Sequence, residues 1–133
     1  MTSSERTVMV VDDDPALRRV LERALGKDGY RVLSVGSAEA AYTLLETQQP
    51  IALLLDIQLP TMSGLALYLA IVHRWPHLAG CIAIMTGDAD AEDVQGWLEQ
   101  NRCTVMRKPF DLHEIAAWLA HGLESRQREL GNG

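Results

Sequence analysis

The chain has 133 residues, of which 47% are hydrophobic and 23% are charged, and its net charge is −6. This length suits about one domain with a buried core, and the negative charge argues against direct nucleic-acid binding, which needs clustered lysine and arginine. The sequence has no apolar run of membrane-spanning length, and its first segment, MTSSERTVMVV, lacks the features of a signal peptide. We therefore expect a cytoplasmic protein that contacts neither a membrane nor nucleic acid.

Five apolar segments of strand length alternate with segments of helical periodicity. Three of the apolar segments are nearly continuous, as in central parallel strands covered on both faces, and two are shorter and more mixed. The predicted strands are TVMVV (7–11), RVLSV (31–35), IALLLD (51–56), CIAIMT (81–86) and CTVM (103–106). Five strand–helix units in a row predict right-handed crossovers and one doubly wound parallel sheet of the α/β class.

The helices between these strands have recognisable starts. Asp14 suits the N-cap of the first helix, with Pro15 at the first helical position, and Ser37 and Ser63 suit the caps of the next two. The third helix is apolar almost all round, and we expect it to be buried against the sheet and its neighbours. The fourth, at about 90–100, has the weakest pattern.

The fifth helix has the best-defined start. Asp111 and Glu114 form a capping-box pattern, and Phe110 and Ile115 form the matching hydrophobic staple. After this helix the composition changes to SRQRELGNG, a polar segment that we expect to be frayed.

Ionisable side chains collect at one edge of the predicted sheet. In doubly wound sheets, ligands bind beyond the carboxyl ends of the strands. The residues that end or follow the predicted strands are Asp12, Asp13, Asp56, Thr86 and Lys108. Each alone has an ordinary explanation as a turn, cap or surface residue, but their joint placement favours a functional site.

Three carboxylates, a hydroxyl and an ammonium group suit phosphoryl transfer. Carboxylate oxygens with room for water suit Mg²⁺, or Mn²⁺, which bridges to phosphate. One carboxylate can then attack a phosphoryl group to form an acyl phosphate, while the metal and Lys108 neutralise charge and Thr86 donates a hydrogen bond. Asp12 and Asp13 are thus predicted to gather a cation, and Asp14 to cap the helix.

Four motifs, in order and at the right spacing, make the sequence resemble the receiver domain of two-component signalling over about residues 6–124. They are VMVVDDDPALRRVLE (8–22), LLLDIQLPTMSGL (53–65), IMTGD (84–88) and RKPF (107–110). The resemblance implies a CheY-like, flavodoxin-like fold with strand order 2-1-3-4-5. We therefore divide the chain into an N-terminal tail (1–6), a receiver domain (7–124) and a C-terminal tail or the start of a linker to an output domain (125–133).

The resemblance also implies a role for each residue of the predicted site. Asp56 is the phosphoacceptor. Asp13 and Asp56 ligate Mg²⁺ directly, together with the backbone carbonyl of Gln58, and Asp12 acts mainly through water. Lys108 pairs with the phosphoryl group.

Further roles concern the switch and the lifetime of the phosphorylated state. Thr86 is expected to move toward the phosphoryl group on activation. Gln58 and Asp88 lie where family members tune the attack of water on the acyl phosphate. The resemblance also predicts a cis bond between Lys108 and Pro109.

Val105 departs from the family pattern, because the position three before Lys108 is usually tyrosine or phenylalanine. That ring normally changes rotamer as the switch hydroxyl moves, and a valine cannot report the switch in the same way. Trp97, on the fourth helix, and Trp118, on the fifth, are candidates to replace it on the output face. Simple packing at helix edges is an equal alternative for both.

The two cysteines, Cys81 and Cys103, lack the spacing of zinc ligands. Each lies five residues before a predicted site residue. If the fourth and fifth strands are neighbours, the two thiols lie near each other, and we expect them to be reduced.

The favoured hypothesis is a switch module that takes a phosphoryl group from a histidine kinase or phosphotransfer protein. Phosphorylation would bias a surface of the fourth helix, fifth strand and fifth helix, through which a homodimer could also form. Such a module is not an enzyme in the ordinary sense, although it catalyses its own phosphorylation and autodephosphorylation. Its output would need a C-terminal domain or a docking partner.

Two alternatives stay open. One is an aspartate-nucleophile phosphatase or phosphotransferase of the haloacid-dehalogenase type, with Asp12 as nucleophile and Asp14 as acid. The sequence lacks the threonine or valine that such enzymes carry two residues later. The other is a receiver-like docking module that is never phosphorylated.

Overall fold

Five strands and five helices alternate in a computed structural model that describes residues 6–87, 92–101, 103–109 and 111–132. The strands are β1 Thr7–Val11, β2 Arg31–Val35, β3 Ala52–Asp56, β4 Ile82–Thr86 and β5 Thr104–Arg107. The helices are α1 Pro15–Lys27, α2 Ala38–Leu45, α3 Gly64–Arg74, α4 Glu92–Gln100 and α5 Leu112–Asn132. A short 3₁₀ helix, Pro76–Cys81, connects α3 to β4.

The strands form one parallel sheet in the order β2-β1-β3-β4-β5, which confirms the predicted topology. The register aligns the carboxyl ends of the strands. Val11 of β1 pairs with Leu55 of β3, so Asp12 and Asp56 come at the same level. Thr86 pairs with Arg107, so Lys108 follows directly beside the end of β4.

Helices cover both faces of the sheet because alternate residues of each central strand point to opposite sides. One face, here called the α1–α5 face, packs strand residues such as Val10 and Leu54 against Leu21, Leu25 and Ile115. The opposite face, here called the α2–α3 face, packs the intervening strand residues against α2 and α3. Its members include Met9, Leu53, Leu55, Ile84, Leu67 and Ile71.

The predicted N-caps of the first three helices are confirmed. The Asp14 side chain accepts hydrogen bonds from the backbone N–H groups at the start of α1, and Ser37 and Ser63 do the same for α2 and α3. Asp111 accepts a hydrogen bond from the backbone N–H of His113 at 2.8 Å. Phe110, the other half of the predicted staple, lies outside the described residues.

Two local predictions were wrong. Helix α5 continues to Asn132, through the segment expected to fray, because SRQREL is rich in residues that favour a helix. Helix α3 is also not buried all round: the Leu69 side chain is 46% exposed. Its buried residues follow ordinary one-sided spacing, and Leu69 lies two positions from Leu67, on the opposite side of the helix.

In the part of the chain that the structure describes, no helix has both the length and the apolar character that a membrane span requires. Cys81 and Cys103 are thiols rather than a disulfide, as expected. Cys103 comes directly before β5 and packs against the α2–α3 face. Burial there raises the pKa of its thiol to about 11.

Gly64 allows α3 to begin directly against the backbone of β3. Its N–H donates a hydrogen bond to the carbonyl of Ile57 at 2.7 Å. A Cβ atom at this position would lie 2.1 Å from the backbone carbonyl oxygen of Asp56, far inside the allowed contact distance. Glycine is therefore required here by the close approach of two backbones.

We expect Gly64→Ala to lower the free energy of unfolding by about 1–3 kcal/mol, because the backbone has to shift to admit the methyl group. Gly26→Ala in α1 is the matched control, since a Cβ there meets no described heavy atom within 4 Å. That change should raise stability by about 0.5–1 kcal/mol, as alanine favours a helix. Urea denaturation followed by circular dichroism measures both, and equal stability of Gly64→Ala and wild type would contradict the close contact.

Candidate functional site

Asp12 and Asp13 directly follow β1, and their side chains differ in exposure to solvent. Asp12 is fully buried, with 0% of the residue exposed, whereas Asp13 is exposed. The Asp12 backbone N–H donates to the carbonyl of Val35 at 3.1 Å, and its carboxylate oxygen Oδ1 accepts the backbone N–H of Asp14 at 2.9 Å. Of these two carboxylates, one is therefore buried and the other is accessible.

Lys108 lies between the two buried carboxylates. Its Nζ is 2.8 Å from Oδ2 of Asp12 and 3.3 Å from Oδ2 of Asp56. Its backbone N–H donates to the carbonyl of Thr86 at 2.7 Å, which ties the end of β5 to the end of β4. The bond to Pro109 is cis, as predicted.

Asp56 is 5% exposed, and its Oδ1 accepts the backbone N–H of Gln58 at 3.1 Å. The pKa of Asp56 lies above its ordinary value, mainly because the carboxyl group is buried. The hydrogen bond from Gln58 lowers this pKa. The negative charge of Asp12 raises it, and the positive charge of Lys108 lowers it. Burial also works to lower the pKa of Lys108, but Asp12 and Asp56 outweigh it, so that pKa lies above its ordinary value. The lysine is therefore cationic at neutral pH.

Carboxylate oxygens of Asp12, Asp13 and Asp56 all lie within 4.8 Å of one another. Three hard oxygen donors at this spacing fit a divalent cation such as Mg²⁺ or Mn²⁺. The two buried carboxylates share one ammonium group, so the cluster keeps excess negative charge that a cation would offset.

The other predicted site residues lie around this cluster. Thr86 ends β4 and is 3% exposed, and Gln58 is exposed on the loop after β3. Val105 pairs with Ile84 in the sheet and is partly buried. Asp88 lies outside the described residues, so its tuning role stays a prediction.

The two tryptophans proposed for the output face lie on opposite sides of the sheet. Trp97 packs against the α2–α3 face, with its ring edge-on to Tyr68 at 5.1 Å between centroids. Its buried indole N–H has no hydrogen-bond partner among the residues that the structure describes. Trp118 packs against the α1–α5 face.

Arg18 was not among the predicted site residues, yet its Nη1 donates to the backbone carbonyl of Asp12 at 2.7 Å. The available signal was its position one turn into α1, directly after the acidic loop. Lys108 was expected to face the phosphoryl group, and its shorter contact with Asp12 was not foreseen. Asp14 caps α1 through its side chain, which argues against a role as general acid.

An open, doubly wound α/β sheet with carboxylates and a lysine at its carboxyl edge defines a flavodoxin-like protein with a candidate phosphoryl-transfer site. The sequence model of the response regulator receiver domain matches residues 8–120. The chain therefore belongs to this family and is a receiver domain of two-component signal transduction.

Curated relatives agree with this assignment. The chain is 34% identical over 122 residues to the DNA-binding transcriptional regulator NtrC of Escherichia coli, covering 92% of this chain and 26% of the relative. It is 49% identical over 115 residues to the transcriptional regulatory protein AruR of Pseudomonas aeruginosa, covering 83% of this chain and 46% of the relative. The chain thus spans less than half the length of either relative.

Solved structures agree as well. The apo receiver domain of nitrogen regulatory protein C superposes with a TM-score of 0.81 at 34% identity, covering 94% of this chain and 99% of the other. A receiver domain protein from Methanospirillum hungatei gives a TM-score of 0.83 at 21% identity, covering 93% and 98%, which supports the fold alone.

We expect Asp56→Asn to raise the Tm by several degrees at pH 7 in the presence of EDTA, because it removes a buried charge that repels Asp12. The raised pKa means that wild-type Asp56 destabilises the fold only once pH has risen through the carboxyl range. The gain should therefore disappear as pH falls below about 4, where both versions are neutral. Asp13→Asn, at an exposed carboxylate, is the control and should change Tm little. Differential scanning calorimetry that found Asp56→Asn less stable at pH 7 would mean that the Lys108 ion pair outweighs burial.

Proposed function

We propose that Asp56 accepts a phosphoryl group from a histidine kinase or phosphotransfer protein, and that the resulting acyl phosphate switches a protein-interaction surface. The observation that carries this assignment is the placement of Asp56 Oδ2 3.3 Å from Lys108 Nζ, within a cluster of three carboxylates. Membership of the receiver family supports it.

Asp12, Asp13 and Asp56 are proposed to hold Mg²⁺ or Mn²⁺, together with the backbone carbonyl of Gln58. When bound, a divalent cation supplies positive charge that screens the attacking carboxylate and the incoming phosphoryl oxygens from each other. Asp13 is the exposed member, so it is the carboxylate that the cation meets first. Asp12 is buried and already paired with Lys108, which suits an indirect role through water.

In the proposed transfer, an Asp56 carboxylate oxygen attacks phosphorus as the bond from phosphorus to the donor histidine nitrogen breaks. The electron pair of that bond stays on the imidazole, and a new oxygen–phosphorus bond forms on Asp56. Lys108 then pairs with a phosphoryl oxygen, which it reaches from its position between Asp12 and Asp56. Water later cleaves the acyl phosphate and regenerates the carboxylate, with Gln58 and Asp88 tuning that step.

The domain thus promotes its own phosphorylation and dephosphorylation without turning over a separate metabolite. Two alternatives find no specific support. Asp12 as a nucleophile would have to leave its contacts with Lys108 and the Asp14 backbone N–H. A docking module that is never phosphorylated has no need of three converging carboxylates.

The switch is proposed to run from Thr86 to the surface of α4, β5 and α5. The backbone N–H of Lys108 donates to the Thr86 carbonyl, so a movement at the end of β4 would displace the end of β5 as well. Trp97 is the better candidate to replace the ring missing at Val105, because its ring packs edge-on against Tyr68 and its buried N–H has no partner in the described part of the chain. A homodimer through this surface and a cytoplasmic location stay predictions.

Because the curated relatives are longer regulators, we propose that this domain acts with an output domain or a docking partner. The relatives named above are transcriptional regulators, but the chain matches less than half of each. The net charge of −6 argues against direct nucleic-acid binding by this chain itself.

Intact-mass spectrometry after incubation with acetyl phosphate should find one phosphoryl adduct that requires both Mg²⁺ and Asp56. Asp56→Ala should abolish the adduct, because the attacking oxygen is lost. Asp14→Asn is the matched control: asparagine still caps a helix, so the adduct should remain. An adduct that persists in Asp56→Ala and vanishes in Asp12→Ala would identify Asp12 as the nucleophile. If neither acetyl phosphate nor a phosphohistidine donor gives an adduct, the result would favour a docking module that is never phosphorylated.

Tryptophan fluorescence should change on phosphorylation, and Trp97→Phe should remove most of that change. The physical reason is that Trp97 lies on α4, which the proposed switch moves relative to Tyr68. Trp75→Phe is the control, because that ring packs against Tyr42 and Arg74, on α2 and α3. A change that survives both Trp97→Phe and Trp118→Phe would contradict the role of either ring.

A further inference from the structure

The Arg18 side chain reaches from the first turn of α1 back to the end of β1. Its backbone N–H donates to the Asp14 carbonyl at 3.1 Å, as a residue of the first helical turn does. Its guanidinium Nη1 donates at 2.7 Å to the carbonyl of Asp12, one residue beyond the strand. A hydrogen bond from a charged donor is about twice as strong as a neutral one, so this contact restrains the peptide that joins Asp12 to Asp13.

Gly36, which follows β2, leaves the space that this guanidinium occupies. A Cβ atom on Gly36 would lie 2.9 Å from Nη1 and 3.6 Å from Cζ of Arg18. Positive φ is not the reason for glycine here, since Gly29 is the one described residue in that region. A side chain at Gly36 would therefore displace the guanidinium of Arg18 from its present position.

We propose that Arg18 is a positioning residue for the metal-binding loop 12–14, and that Gly36 admits it. The Asp13 side chain is exposed, so its direction depends on the backbone that carries it. The bonds that hold that backbone include the Asp12 N–H to Val35, the Asp14 N–H to Asp12 Oδ1, and the Arg18 contact with the Asp12 carbonyl. The inference rests on the proposed function of the carboxylate cluster as a Mg²⁺ site.

Charge and positioning have opposite effects on Mg²⁺ binding, which allows them to be separated. A nearby arginine repels a divalent cation, so removing its charge alone should strengthen binding slightly. Removing the hydrogen bond should weaken binding, because the Asp13 carboxylate is then less well directed. Arg19 is an exposed neighbour on the same helix, and Arg19→Met therefore reports the charge effect without the contact.

We expect Arg18→Met to raise the Kd for Mg²⁺ about fivefold relative to Arg19→Met, as measured by isothermal titration calorimetry. Methionine keeps the apolar stem, so the Tm should stay close to that of Arg19→Met. In metal-free protein, the backbone amide resonances of Asp13 and Asp14 should shift in Arg18→Met and not in Arg19→Met. Equal Kd values for the two variants, with unshifted amide resonances, would overturn the proposal.

Gly36→Ala tests the contact between Arg18 and the Asp12 carbonyl without changing the arginine itself. It should weaken Mg²⁺ binding by a similar factor, because the added methyl group displaces the guanidinium. In an Arg18→Met background the same change should have no further effect, since the crowded atom is gone. Equal weakening in both backgrounds would overturn the role of Gly36.

The phosphoryl adduct, measured by mass on the same variants, separates this inference from the proposed function. If wild type takes no adduct while the Mg²⁺ affinities change as expected, the phosphoacceptor role fails and the positioning role stands. If wild type is phosphorylated on Asp56 while Arg18→Met and Gly36→Ala bind Mg²⁺ like Arg19→Met, the positioning role fails alone.

Discussion

Two buried carboxylates that share a single ammonium group are the constraint on which this molecule depends. Asp12 and Asp56 come from neighbouring strands and Lys108 from the end of the outermost strand, so the ion pairs exist only when β1, β3, β4 and β5 are in register. Burying two like charges beside one opposite charge is unfavourable by itself. The apolar strands behind them supply the compensating stability, because every residue of β1, β3 and β4 is buried. The sheet thus stabilises a cluster of buried charges at its carboxyl edge.

The loops around the site are held mainly by backbone hydrogen bonds and by small residues. Asp14 and Ser63 cap the helices that follow two of the site strands. Gly64 lets α3 begin against the carbonyl of Asp56, and the Gln58 N–H fixes one oxygen of that carboxylate. Local rigidity of this kind favours a site whose geometry exists before any ligand binds.

The strands, the parallel sheet and the caps were predictable, because each depends on local pattern: apolar runs for strands, Asp or Ser before a helix, and alternation of strands with helices for two covered faces. The strand order came from the resemblance to the receiver family. The edge that carries Asp12, Asp56, Thr86 and Lys108 followed from the same reasoning, since all carboxyl ends of parallel strands meet there. What could not be predicted are choices between partners distant in sequence. Whether Lys108 contacts Asp12 or Asp56 more closely depends on side-chain positions across three strands, and the Arg18 contact depends on the space left by Gly36. The exposure of Leu69 shows a further limit, since an apolar residue in an apolar helix can still face away from the sheet.

The Cys103 thiol, which comes directly before β5, has low chemical reactivity because partial burial raises its pKa. Only the thiolate form reacts readily with oxidants and electrophiles, and a thiol with a pKa of about 11 holds roughly one thiolate in ten thousand at neutral pH. The strand that begins beside this thiol ends beside Lys108. Oxidative modification of the Cys103 thiol would therefore be slow.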